Sequence, residues 1–274
     1  MQSILVLTDF SDAAFKAAQY AAMLSKVCKS KRLILFHAYQ TIPVVVNEPV
    51  VAAGRESLHE ESLQSMEIWQ ESVRQFTDPS TSISFFVNDI DLAEGTNALC
   101  KEASIDLVVM GITGKSNLEK ILIGSNAVRL IADIQYPLLI VPKNTPDRMP
   151  AKVVLTTDLK EVKEKISSSS IFKFLDAIQA KLLVVNVARK DKDVSHLRTE
   201  IMDLHSLLDR YTPEIHYINH PDTIEAIDEF AQHHQAGIVI TFHEQQNRPA
   251  ALFHKSVSKK LAWHSRLPLL VIPL

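Results

Sequence analysis

Three of the six glycines in this 274-residue chain, Gly111, Gly114 and Gly124, fall within one fourteen-residue window. A backbone without Cβ lets amides approach an anion closely, and a helix starting just past such a loop adds amide donors and a favourable dipole. The chemistry suggested is phosphate binding. The window opens at the end of the apolar run Leu107 to Met110 and closes at Ser125, where a helical pattern begins. A strand end, a loop and a helix start together form the crevice in which open α/β sheets hold ligands. Two familiar phosphate loops do not fit. Gly114-Lys115-Ser116 looks like the end of a Walker A loop, but the first glycine of G-x4-G-K-[ST] would have to stand where Val109 does. G-x-G-x-x-G is absent as well; the spacing is Gly-x2-Gly-x9-Gly-Ser.

Other candidates carry two readings each. Asp9, closing the first apolar run, can accept hydrogen bonds from a ligand in that crevice, or can cap the next helix. Ser125 can offer its hydroxyl and amide to phosphate or cap its own helix, with one geometry for both roles. Lys115 and Lys120 can screen phosphate charge or simply be solvated. Nine of the eleven histidines come after Met149, among them His216, His220, His233, His234, His243, His254 and His264. A metal site is the sharper reading of that excess, but no zinc-ligand spacing supports it and no ligand set emerges. Cys28 and Cys100 form no CxxC pair and read as buried thiols rather than a disulfide framework. No Ser-His-Asp pattern, paired carboxylates or base beside the loop indicates catalysis.

These residues sit in an alternation of short apolar runs with segments of helical period, the pattern of βα units building a parallel sheet. The first half offers strands at Ile4 to Leu7, Leu33 to Phe36, Ile83 to Val87, Leu107 to Met110 and Leu138 to Val141. Helices are predicted at about 12 to 28, 55 to 76, 92 to 103 and 125 to 134, the first capped by Ser11. The order then begins again. Lys152 to Asp158 answers Ser3 to Asp9, and Pro268 to Pro273 answers Pro137 to Pro142, so the halves share a beginning and an end. Leu182 to Val187, Ile215 to Ile218 and Ile238 to Thr241 supply the middle strands, and the break falls in the proline-bearing Lys143 to Pro150. The expected domains are 1–143 and 150–274. Gln40 to Gly54 has no full equivalent after Ala188 and reads either as a flap over a ligand or partner, or as a loop covering its own core.

Net charge is −3, with 13 basic and 17 acidic residues up to Met149 and 16 against 15 afterwards. Neither half has the basic excess of a nucleic-acid-binding surface. No apolar run reaches the roughly 18 residues of a membrane span, and the N-terminus lacks a signal-peptide pattern, so a cytoplasmic location is expected.

The Gly-x2-Gly-x9-Gly-Ser loop, the strand closing on Thr8-Asp9-Phe10-Ser11, and the Tyr136-Pro137-Leu138-Leu139-Ile140-Val141-Pro142 ending resemble the universal stress protein family over essentially the whole chain. The resemblance implies an α/β, adenine nucleotide alpha hydrolase-like fold: two tandem five-stranded parallel-sheet domains with helices on both faces. It implies ATP or another adenine nucleotide as ligand, with or without Mg, and a regulatory or sensing role in a stress response rather than turnover, slow hydrolysis staying open. Carried over, Asp9 reaches the adenosine, Ala38 after His37 reads adenine through its backbone, and Gly111, Gly114, Gly124 and Ser125 cradle the phosphates. It further implies association through the last strand, here Leu138 to Val141 against Leu269 to Ile272 within one chain, which would cover two sheet edges. Further pairing into a homodimer stays open.

Aligning the repeats on Pro137 and Pro268 places Phe242, Gln245, Lys255 and Ser256 at the positions of Gly111, Gly114, Gly124 and Ser125. All three glycines are replaced, which predicts one nucleotide per chain, in the first half. The alternative from another class is a pseudo-dimeric scaffold that binds no nucleotide and acts by protein contact.

Overall fold

In the computed structural model of this chain the described residues are 1–40, 50–113, 125–168, 170–188, 197–243, 261 and 266–274, with the side chains of 50–55, 125–127 and 168 left aside. The first half runs β1 (Ser3–Leu7), α1 (Asp12–Cys28), β2 (Arg32–Tyr39), α2 (Val50–Arg74), β3 (Ser82–Asp89), α3 (Leu92–Glu102), β4 (Leu107–Ile112), α4 (Ser125–Asp133) and β5 (Leu138–Pro142). The second runs β6 (Lys152–Thr157), α5 (Val162–Ser168), α6 (Ile171–Ile178), β7 (Lys181–Ala188), α7 (Leu197–Leu208), β8 (Glu214–Asn219), α8 (Thr223–His233), β9 (Ile238–His243) and β10 (Leu269–Pro273), with a 3-10 turn at Asp209–Tyr211 before β8.

The apolar runs become central strands because both of their faces are covered: every residue of β1 and β5 is buried. Ser11 caps α1, its hydroxyl accepting from the Ala14 amide at 3.2 Å. The alanines of α1, including Ala14, Ala17, Ala18, Ala21 and Ala22, give a smooth face that lies close on the sheet. Lys29 ends the helix in a left-handed conformation, its amide returning to Lys26.

The strands form one ten-stranded sheet in the order β3-β2-β1-β4-β5-β10-β9-β6-β7-β8. Neighbours are parallel except at the centre, where β5 and β10 run antiparallel with Ile140 opposite Leu269, Leu139 opposite Leu270 and Leu138 opposite Val271. Each half thus contributes five parallel strands, and the last strands join them. Two apolar layers sandwich the sheet. One is built on α1, α2, α5, α6 and α7, the other on α3, α4 and α8, and each runs through strands of both halves.

A polar tie joins the halves outside the sheet. Asp106 accepts the Gln2 amide at 2.6 Å and the Ser3 amide at 3.3 Å, and pairs with Lys173 of α6 at 3.2 Å. Burial works to raise its pKa, but the two amides and the Lys173 ammonium outweigh this and hold the carboxyl below the usual range.

One expectation is corrected here. The stretch Gln40 to Gly54 is not loop throughout, because α2 begins at Val50. Residues 41–49 lie outside the described residues.

Candidate functional site

The chain leaves β1 for β2 on one side and, after β3, crosses to β4 on the other, so β1 and β4 are neighbours whose connections depart in opposite directions. Their carboxyl ends form the topological switch point where such sheets bind ligands. Asp9 lies just past β1, Gly111 lies near the end of β4, and α4, which must start at this same end of the sheet, begins at Ser125.

Asp9 is exposed and stands in a tight turn. Its Oδ1 accepts the Ser11 amide at 3.0 Å, Thr8 Oγ1 accepts the Phe10 amide at 2.9 Å, and Phe10 takes a positive φ of 63°. Among the described residues no hydrogen bond or ion pair engages its Oδ2. The helix cap is Ser11, not Asp9. Ala38 is placed by strand alternation: Phe36 accepts the Thr8 amide on the β1 side, while Tyr39 accepts the Ile90 amide on the β3 side. The amide and carbonyl of Ala38, two residues beyond Phe36, therefore face the β1 side, past the point where β1 has ended. A main-chain donor and acceptor are thus presented beside the Asp9 turn.

Gly111 has a role the motif did not reveal. A Cβ built there would lie 2.1 Å from the Ala13 carbonyl oxygen and 2.7 Å from the Ala14 amide nitrogen. The missing side chain admits the first turn of α1 against β4, a helix–strand contact. Gly114 and Gly124, like Lys115 and Lys120, lie outside the described residues; Ser125 is the first residue of α4, its side chain among those left aside.

The second half lacks that glycine, and its packing differs accordingly. Phe242 is half-buried against the layer that contains α5 and α6, so no helix backbone can approach β9 there as α1 approaches Gly111. In place of one 17-residue helix stand α5 of 7 residues and α6 of 8. Asp158 keeps the turn of Asp9, accepting the Lys160 amide at 3.2 Å, but its Oδ1 also pairs with Lys165 at 3.4 Å. Glu200 of α7 accepts the Glu161 and Val162 amides at the start of α5, at 3.3 and 2.8 Å. Here the chain's own charges occupy the turn and the helix start. Gln245, Lys255 and Ser256 are outside the described residues.

Not all the histidines are scattered. His216 of β8, its ring 5.1 Å from that of His234, joins His233 and Phe230 of α8 in one cluster. Desolvation first, then the charges of His216 and His233, lower the His234 pKa. Sequence spacing hid this cluster because β8 and α8 meet only in the fold. Among the described residues no group of three or more His, Cys, Asp or Glu side chains is arranged to hold a metal ion, and no helix is long and apolar enough to cross a membrane.

The universal stress protein MJ0531 of Methanocaldococcus jannaschii is 29% identical over 147 residues, 52% of this chain and 82% of that protein. A universal stress protein from Archaeoglobus fulgidus superposes with a TM-score of 0.69 over 98% of this chain and 97% of its own, at 14% identity. A putative universal stress protein from Pseudomonas aeruginosa gives 0.65 over 100% and 93%, also at 14%. At such identities the two structures speak for the fold: an α/β, adenine nucleotide alpha hydrolase-like sheet. The profile described as the universal stress protein family matches residues 1–142, just over half of the 274, and with that match the chain belongs to the universal stress protein family.

Proposed function

We propose that the protein binds one adenine nucleotide, ATP or a close relative, at the β1–β4 switch point of its first half, and that it acts as a sensor or regulator in a stress response within the cytoplasm. The observation that carries this reading is the convergence of the Asp9 carboxylate and the main-chain groups of Ala38 at one strand-end crevice. A carboxylate suits ribose hydroxyls, and a backbone amide and carbonyl pair suits the edge of an adenine ring. The phosphates, with or without Mg, would fall to the stretch from Gly114 to Ser125 and the start of α4. The chain is read as two domains, 1–143 and 150–274. The second serves as an internal partner, since Lys165 and Glu200 already satisfy its turn and helix start.

ATP should raise the melting temperature of the protein by mass action, by the equivalent of about 2.7 kcal/mol at one hundred times the dissociation constant. Gly124→Val should abolish that shift and leave the unliganded melting temperature near its original value. No shift at millimolar ATP, with no nucleotide released on denaturing the purified protein, would favour the scaffold that works by protein contact.

A further inference from the structure

The turn that presents Asp9 is held from outside by His37. Its Nδ1 lies 2.8 Å from the Thr8 carbonyl oxygen. A carbonyl only accepts, so Nδ1 donates the proton, which fixes the tautomer of the neutral ring. The same ring rests against Phe10, with centroids 4.5 Å apart, and Phe10 is the turn's positive-φ residue. Tyr39 stacks with His37 at 6.1 Å, and its hydroxyl meets His59 Nδ1 of α2 at 2.9 Å. The imidazole is therefore tied to the turn directly and to α2 through Tyr39.

The second half contains the same bond made by a different residue. Asn186 stands opposite Thr157 in the β6–β7 ladder, the place of His37 beside Thr8, and its Nδ2 donates to the Thr157 carbonyl at 2.9 Å. There too the turn has a positive-φ residue, Leu159 at 53°, and its amide bonds to Thr157 Oγ1 at 3.1 Å. Two chemically unlike side chains share one feature, a planar N–H donor at the reach of that carbonyl. What the position requires is the donor, not imidazole as such.

We propose that His37 is a positioning residue for the nucleotide: by donating to the Thr8 carbonyl it fixes the turn that aims the Asp9 carboxylate into the β1–β4 crevice. This rests on the nucleotide reading above. Asparagine can replace it, and an apolar residue of similar size cannot.

The test compares His37→Asn, His37→Leu and, as a control for general destabilisation, Asn186→Leu, with calorimetric titration of ATP and amide hydrogen exchange on each. His37→Leu should weaken ATP binding about tenfold, the loss of roughly one well-placed hydrogen bond, while His37→Asn stays near the unaltered affinity. The Phe10 and Ser11 amides should exchange faster in His37→Leu but not in His37→Asn. Asn186→Leu should speed exchange at Leu159 and Lys160 and leave ATP affinity unchanged. Equal ATP affinity and equal exchange in the two His37 variants overturn the proposal, as does a loss in His37→Leu that Asn186→Leu reproduces. Should the unaltered chain bind no ATP, the nucleotide reading and the ligand half of this proposal fall together, and the Phe10 and Ser11 exchange rates still decide whether His37 holds the turn.

Discussion

A methyl group at position 111 would meet the Ala13 carbonyl at 2.1 Å, and neither backbone can yield without moving the start of α1. Gly111→Ala should cost about 2 to 4 kcal/mol, seen as a lower urea midpoint in the absence of any ligand. A variant at Gly111 therefore reports on folding first, and Gly124 is the better probe of binding. The window of three glycines was visible in the sequence, but the sequence did not show that its first member serves helix packing, because Ala13 lies 98 residues away in the chain. His234 supplies a second test at this scale. Its pKa is lowered from 6.5 by desolvation, then by His216, His233 and Lys152, with Glu214 of β8 opposing. Glu214 is itself shared with Lys181, which pairs with it. The folded state favours neutral His234, so its contribution is complete above the unfolded value of 6.5 and is lost as pH falls through the lower folded value. Urea unfolding between neutral pH and about pH 5 should show a steeper loss of stability in the unaltered chain than in His234→Gln.

The strands and the first half's helices were legible from apolar period, since runs such as Leu33 to Phe36 leave few alternatives once both faces are buried. The errors came where polar residues continue an element. β2 runs on through His37, Ala38 and Tyr39, past the apolar run that announced it, because β3 pairs with it up to Asp89. That extension is what turns Ala38 toward the crevice. Likewise α2 starts at Val50, inside a stretch whose prolines suggested a loop. The division of the second half's first helix into α5 and α6 had a visible signal, Phe242 in place of Gly111, but its effect depends on a contact only the fold reveals. Glu200 is the element-level substitute for a local cap at α5. Glu200→Ala should destabilise the second half by about 1 kcal/mol, measured as faster amide exchange at Glu161 and Val162.

Across the whole molecule the seam is self-complementary. Counting along each last strand, Leu138 corresponds to Leu269, Leu139 to Leu270 and Ile140 to Val271, and the observed pairs are first with third, second with second and third with first. That is the geometry of an isologous contact. The fragment 1–143 alone should therefore offer its β5 edge to a second copy and sediment as a dimer, whereas Leu139→Asp in that fragment should leave it monomeric or unfolded by placing an unpaired charge in the contact. In a pair of identical subunits every substitution is made twice, once on each side of the axis. Covalent linkage removes that obligation: one crevice can lose its glycines while the other keeps them, and a seam residue can change without its mirror image changing too. Linkage of the two halves in one chain, across the antiparallel junction of β5 with β10, thus makes each half heritable on its own terms, an asymmetry that no symmetric assembly of one short chain can encode.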